Sequence, residues 1–333
     1  MSWKILVTAR VMKTVGAPML DALRAVGCEI EFSEGQGVLK PKELIPLLAG
    51  KDAVLVGLDQ FAPEVFTAPE AANLKLISRW GVGYDSISIP SATAAGIPVA
   101  YVPNLLNSAV ADYAFSLLLG IARRIHTGHM AMVEGRWAAQ WGNDVHDKSI
   151  GIVGCGRIGL AVAKRALGFD MRVIGYDLFP SEAARKMGVE FVSLEELLAQ
   201  SDYVSLHAAL TDQTRGMISE AMLRKMKPSG YLINTARGAI VDEPALAKAL
   251  NEGWIAGAAV DAYCIEPLPA DNPLRTAKNL LYTPHQASWT IETGLKVSHA
   301  AVQAILDAKA GRRPAQIVNP EVFNQPQLRL QLA

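Results

Sequence analysis

Three observations predict an α/β protein built from two doubly wound parallel sheets. Short β-branched runs alternate with helical segments along nearly the whole chain. One stretch, residues 149–177, reads as strand, glycine turn, helix and second strand without interruption. The length of 333 residues, half of them hydrophobic and 19% charged, suits about two domains with sizeable cores.

In chain order, residues 5–8, 30–32, 53–56, 76–78 and 99–102 predict strands, with helices at 18–26, 42–48 and 63–67 between them. Such alternation implies βαβ units. Gly81-Val82-Gly83 follows the fourth strand, at the carboxyl end where open α/β sheets bind ligands. Exposed amides there suit a carboxylate, and a plain turn is the competing reading. A helix over 104–125, with Asn107 or Ser108 as N-cap, is apolar nearly all round, as expected of one buried between domains or subunits. Residues 126–147 then form an irregular arm in which Met130, Met132, Trp137 and Trp141 stand among polar residues. Met and Trp anchor protein interfaces, so the arm predicts a dimer contact.

Next comes a cofactor cradle. Residues 150–153 form its strand, Gly154-Cys155-Gly156-Arg157-Ile158-Gly159 fits G-x-G-x-x-G, and 160–167 carry apolar residues at helical spacing. Gly154 allows the tight turn, Gly156 lets the backbone approach a pyrophosphate, and Gly159 lets helix and strand pack closely. Free N–H groups at the helix start face the phosphates, and Arg157 adds a charge. The strand at 172–176 ends in Asp177, about 20 residues on, where a carboxylate accepts hydrogen bonds from the adenosine ribose hydroxyls and repels a 2′-phosphate. Leu178-Phe179-Pro180 supplies no arginine for such a phosphate, which predicts NAD and not NADP.

Beyond the cradle, strands are predicted at 202–207, 231–235, 258–263 and 280–283, helices at 216–226 and 243–250, and a last helix over 288–310 with a terminal loop after it. Polar residues just past strand ends are candidates for chemistry, and three stand there: Arg237, Glu266 and His285. Hydride transfer to a 2-keto acid needs a cation to anchor the carboxylate and polarise the carbonyl, the role suited to Arg237. It also needs an acid for the developing alkoxide, the role suited to His285 with Glu266 as the anion that supports its protonated form. In the oxidative direction His285 acts as base. Singly, each has a plainer reading, as an ion-paired arginine, a solvated loop acid or a helix-start histidine. His207 ends a strand and is assigned to the adenosine side, with loop packing as the alternative.

Formal net charge is zero with no basic cluster, which argues against nucleic acid and anionic membranes as partners and favours a small molecule. Cys28, Cys155 and Cys264 are odd in number and scattered, fitting reduced cytoplasmic thiols better than disulfides or a zinc site, and no metal is expected. Cys155 lies inside the phosphate loop, where a small apolar filler competes with an oxidation-sensitive role. The N-terminus enters a strand at once, and the longest apolar run, 109–122, contains Asp112 and is too short to span a bilayer.

The segments GIVGCGRIGLAVA, LINTARGAIVDEPAL, GAAVDAYCIEPLP and NLLYTPHQAS resemble the signature blocks of the D-isomer-specific 2-hydroxyacid dehydrogenases, particularly those like phosphoglycerate dehydrogenase. LKLISRWGVGYDSI, AAGIPVAYVP, NSAVADYAFSLLLGIAR and IVNPEVF extend the likeness over most of the chain. The resemblance implies a flavodoxin-like substrate domain from both termini, residues 1–103 plus 289–333. It also implies an inserted Rossmann NAD domain, residues 104–288, an active site in the cleft, and a homodimer built on the NAD domains. Arg157 and Ile158 become pyrophosphate contacts, Thr235, Ala236 and Asp261 contacts near the nicotinamide, and Ser288 a further coenzyme contact. Ala208, with His207 and Thr214, flanks the adenosine, and Val82 and Gly83 meet the substrate carboxylate.

The chain departs from the family at Ala209, where proline is frequent, and at Gln286 and Trp289, the latter either shaping the substrate pocket or packing structurally. Phosphoglycerate dehydrogenases place arginine after the third strand, where this chain has Val56-Gly57-Leu58-Asp59, and no C-terminal regulatory domain is expected. The expected substrate is therefore a small unphosphorylated acid such as glyoxylate or hydroxypyruvate. Phosphoglycerate and phosphite oxidation are the enzymatic alternatives. Formate dehydrogenases pair the histidine with glutamine, so Glu266 argues against them. An NAD(H)-sensing protein like the C-terminal-binding-protein corepressors is the alternative of another class, and lack of turnover with intact NADH binding would favour it.

Overall fold

The computed structural model describes residues 2–35 and 37–333. The chain divides into two compact units, one running up to Leu106 and resuming at Trp289–Ala333, the other formed by Asn107–Ser288.

The terminal unit holds β1 (Lys4–Val7), β2 (Glu29–Phe32), β3 (Ala53–Val56), β4 (Leu76–Arg79) and β5 (Val99–Ala100) in the order β2-β1-β3-β4-β5, all parallel. That order is the flavodoxin-like one. β3 and β4 are buried throughout, which is why they read as continuous apolar runs. The helix Ile291–Lys309 covers β3 and β4 through Val297, Ala301, Val302 and Ile305. Two hydrogen bonds fasten it: Ser78 Oγ donates to Ala301 O at 2.8 Å and Trp80 Nε1 to Ser298 Oγ at 2.9 Å. This sheet therefore needs both ends of the chain. β5 is shorter than predicted because Tyr101 N turns to Gln316 O at 3.2 Å. The tail is not a free terminal loop: Ile317 bridges Ala100, and buried Asn319 accepts from Val99 N at 2.9 Å.

The central unit holds β6 (Ser149–Val153), β7 (Arg172–Tyr176), β8 (Glu190–Phe191), β9 (Tyr203–Leu206), β10 (Tyr231–Asn234), β11 (Gly257–Val260) and β12 (Leu280–Tyr282). Their order is β12-β11-β10-β9-β6-β7-β8, again all parallel. The chain runs outward from β6 to β8 and then returns past it to β9, so the switch point lies between β6 and β9, where such sheets bind ligands. Apolar layers cover both faces, Ile150 and Ile152 facing one and Val153 the other.

Several elements differ from expectation. The helix predicted at 104–125 spans Asn107–Ala122, since Asn104 and Arg124 adopt left-handed φ of 73° and 52°. The unit boundary accordingly falls at 106/107 and not at 103/104. This helix packs on the helix Arg157–Leu167 and on β10, β11 and β12, so its own unit accounts for its apolar surface. The arm begins with a second helix, Ile125–Val133. Of the helix predicted at 216–226 only Glu220–Leu223 forms, because Gly216 takes φ 63° and Ile218 bridges Val241. The helices Glu182–Lys186 and Leu194–Gln200 are additional to those predicted, although Ser193 and Glu196 form a capping box at the second. Among the described residues no helix is long and apolar enough to cross a membrane.

Candidate active site

The three cradle glycines are separated by what surrounds them. Gly154 has φ 92°, and a Cβ there would lie 2.5 Å from Ala208 N. One at Gly159 would lie 2.1 Å from Gly154 O, so both positions exclude any side chain. A Cβ at Gly156 would meet nothing within 4 Å, leaving open space over the loop. The helix Arg157–Leu167 starts there with no side-chain cap and no acidic residue in its first turn, and carries Lys164 and Arg165 in its last. Its N-terminal field is thus left for an anion.

Asp177 stands beside the loop at the end of β7. Its Oδ2 accepts from Cys155 N at 2.7 Å and its Oδ1 from Phe179 N at 2.9 Å. Cys155 is 4% exposed, and burial together with the Asp177 charge pushes its thiol up to about 12, so it serves as an unreactive filler. His207 donates its backbone N–H to Val153 O at 2.7 Å, and its Nε2 lies 2.8 Å from Ser205 Oγ. Burial pushes the imidazole down to about 4, and the ring is neutral at physiological pH. Thr214 Oγ1 accepts from Thr211 N at 2.8 Å and donates to Ala209 O at 2.7 Å, which closes the loop at the position where the family often has proline.

Thr235 comes directly after β10, and its Oγ1 is buried without a hydrogen-bond partner among the described residues. An orphaned hydroxyl of this kind is costly unless a ligand satisfies it. Together with the open space at Gly156, it shows that the residues present fit a dinucleotide. Asn234 adds a contact the sequence reading missed: its Oδ1 accepts from Ala236 N at 3.0 Å and its Nδ2 donates to Arg237 O at 2.9 Å. The signal is a polar residue ending the apolar run Tyr231-Leu232-Ile233.

Arg237, Glu266 and His285 lie beyond the adjacent strands β10, β11 and β12. Arg237 Nη1 donates to Ala236 O at 2.8 Å. Gly238 presses on the loop after β11 so closely that a Cβ would fall 2.0 Å from Tyr263 C. His285 Nδ1 lies 2.7 and 2.8 Å from the two Glu266 oxygens, and Glu266 Oε1 also accepts from Tyr263 N at 2.9 Å. With Nδ1–H donated to the carboxylate, Nε2 is the atom free to exchange a proton.

His285 sits at φ 51°, a left-handed conformation that costs a bulky residue on the order of 1–3 kcal/mol. Asp261 supports it. Its buried carboxylate accepts from Thr283 Oγ1 at 2.6 Å, Gln286 N at 3.0 Å and Ala287 N at 2.8 Å, which ties down both sides of the turn. Burial nevertheless raises the Asp261 carboxyl above its usual range. The turn gains another tie from Gln286 Nε2 to Tyr113 OH at 2.7 Å, and Ser288 ends this unit half-buried.

Val82, Gly83 and Trp289 belong to the terminal unit. There the buried Arg79, also absent from the sequence reading, grips the loop from beneath, its Nε donating to Gly83 O at 2.8 Å and its Nη1 to Trp80 O. Trp289 is 52% exposed.

A phosphate loop at the switch point, with a cation and a carboxylate-backed histidine on successive strand ends, is the arrangement of a nicotinamide-dependent dehydrogenase. Residues 115–287 match the D-isomer specific 2-hydroxyacid dehydrogenase, NAD binding domain. The chain belongs to that family and is an NAD-dependent 2-hydroxyacid dehydrogenase. It is 42% identical over 302 residues to a glyoxylate reductase of Korarchaeum cryptofilum, covering 88% of this chain and 90% of that one. A glyoxylate reductase of Thermofilum pendens is 40% identical, with 94% of each chain covered. Among solved structures, a glyoxylate reductase from Paecilomyes thermophila superposes with a TM-score of 0.83 at 30% identity, covering 96% of this chain and 99% of that one.

Proposed function

We propose that this enzyme reduces glyoxylate and similarly small, unphosphorylated 2-keto acids with NADH, and oxidises the corresponding D-2-hydroxy acids in reverse. The observation that carries the reaction is the His285–Glu266 pair at 2.7 Å. The coenzyme, when bound, supplies the hydride. Gly154, Gly156, Arg157, Ile158 and Gly159 hold its pyrophosphate, Asp177 its ribose, His207, Ala208 and Thr214 its adenosine side, and Thr235, Ala236, Asp261 and Ser288 line its nicotinamide end. Arg237 anchors the keto acid and polarises its carbonyl. His285 Nε2 delivers a proton to that oxygen, and Glu266 orients the ring through its contact with Nδ1. The family resemblance supports Val82 and Gly83 as contacts of the substrate carboxylate and Trp289 as a residue that shapes the substrate pocket.

Gly57, Leu58 and Asp59, just past β3, favour the unphosphorylated substrate. They include no cation, and Asp59 is a buried carboxylate bonded to Thr8 Oγ1 at 2.5 Å and Leu39 N at 2.8 Å. NADH consumption against glyoxylate, hydroxypyruvate, pyruvate, phenylpyruvate and 3-phosphohydroxypyruvate tests the assignment. Fastest turnover of glyoxylate or hydroxypyruvate is expected. Preference for the phosphorylated acid would overturn it, and NADH binding without turnover would favour a coenzyme sensor.

NADH is the proposed coenzyme in preference to NADPH. Asp177→Ala is expected to erode that preference by about tenfold or more, because the variant no longer repels a 2′-phosphate. The Cys155 contact is lost for both coenzymes alike, so the NADH/NADPH ratio of kcat/KM isolates the effect, and an unchanged ratio would misplace the ribose.

A homodimer is proposed because the arm exposes large apolar side chains in the single chain: Trp137 is 91% and Trp141 96% exposed, with Met130 and Met132 about half. Light scattering is expected to give the mass of two chains, and Trp137→Ala with Trp141→Ala a monomer. A wild-type monomer would refute the proposal. All three cysteines are free, which supports a reducing, cytoplasmic location.

A further inference from the structure

We propose that Glu243 is a positioning residue for proton transfer, an inference that rests on the acid role proposed for His285. Its buried carboxylate holds the loop over residues 263–272 in the shape that brings Glu266 onto the histidine.

Glu243 is the first residue of the helix Glu243–Glu252 and is only 6% exposed. A carboxylate at that position ordinarily serves the helix start. Here Asp242 already caps the helix, accepting from Ala245 N at 3.0 Å. Glu243 instead reaches across to the loop. Its Oε1 accepts from Cys264 N at 2.7 Å and its Oε2 from Asn272 Nδ2 at 2.9 Å. The two oxygens therefore clamp the loop at both ends, with Glu266 between the clamped residues. Asn272 Oδ1 in turn caps Leu274 N at 2.9 Å, so its amide orientation is set and its Nδ2 must face the carboxylate.

The clamp matters because the segment between Cys264 and Asn272 has no strand ladder to fix it. Tyr263 N, one residue before the clamped Cys264 N, is the donor that orients Glu266 Oε1 at 2.9 Å. Gly238 supports the same backbone from the Arg237 side, where even a Cβ would collide with Cys264 N at 2.3 Å. A loop released at Cys264 would swing Glu266 relative to His285, and displacement by an ångström at such a pair reduces turnover substantially. The charged and titratable groups that act on these residues are Asp261 beside His285, Asp261, Glu266 and Tyr282 beside Tyr263, Glu243, Arg215 and Asp242 beside Cys264, and Arg275, whose guanidinium donates to Leu268 O and Pro269 O. Among the described residues, Glu243 is the group that joins Cys264 N to Asn272 Nδ2.

The test is the pH profile of kcat/KM for glyoxylate reduction in Glu243→Ala, Glu243→Gln and Asn272→Ala, alone and combined with Glu266→Gln. Reduction takes a proton from His285, so a displaced Glu266 changes the pH dependence of that step. Glu243→Ala is expected to lower kcat about tenfold or more with KM for NADH unchanged, and to shift the basic limb as Glu266→Gln does. In the Glu266→Gln background it should add no further shift. Should Glu243→Ala fail to fold, Glu243→Gln, which presents a donor to Asn272, and Asn272→Ala, which frees one end of the clamp, are expected to shift the limb in the same direction. An unmoved limb in the folded Glu243 and Asn272 variants, with Glu266→Gln shifting it, would overturn the inference and leave Glu243 a structural residue. If Glu266→Gln and His285→Ala themselves leave the profile unchanged, the acid assignment fails instead.

Discussion

His285→Ala is expected to lower kcat for glyoxylate reduction by about 10²–10⁴-fold, the range for removal of a general acid, while the Kd for NADH stays close to that of the unsubstituted enzyme. The ring is oriented by its Nδ1 contact with Glu266 at 2.7 Å and by a turn at φ 51° that Asp261 fixes. Alanine removes the proposed proton donor, relaxes the turn and leaves the phosphate loop after β6 untouched. Stopped-flow reduction and NADH titration separate the two quantities. Equal loss of turnover and NADH affinity would show that the histidine serves the coenzyme or the fold.

Arg237→Ala is expected to lower kcat/KM for the keto acid by about 10²–10³-fold, comparable to removing a single oxyanion donor. Loss is expected in both KM and kcat, because in its proposed role the guanidinium binds the ground-state carboxylate and also stabilises charge growing on the carbonyl oxygen. Arg237→Lys should recover only part, since an ammonium cannot reproduce the planar two-pronged contact. The surrounding loop is held by backbone and by Asn234, whose bonds to Ala236 N and Arg237 O do not involve the guanidinium. The variant should therefore keep its fold and NADH affinity. Retention of full kcat/KM would place the substrate cation elsewhere.

The strands are the most legible elements, because parallel strands covered on both faces must be apolar throughout. The cradle is legible for a different reason: Gly154 and Gly159 sit where a single Cβ would collide with backbone, so the sequence has no freedom there. Helices at 182–186 and 194–200 escape a sequence reading because their apolar faces are short, and the predicted helix at 216–226 is truncated by a bridge between Ile218 and Val241 that no local pattern announces.

By itself, then, the sequence determined two doubly wound sheets, a dinucleotide loop and three polar residues past strand ends, since each is a local consequence of periodicity or of glycine stereochemistry. Tertiary structure alone decided which side chains meet. The Glu266–His285 contact joins residues 19 apart, the Glu243 clamp on Cys264 spans 21, and the Asp261 support of Ala287 spans 26. Each is created by neighbouring strands coming into register. No sequence period encodes such pairings, because hydrogen bonds between loops depend on how the sheet aligns their ends and not on the residues that flank them.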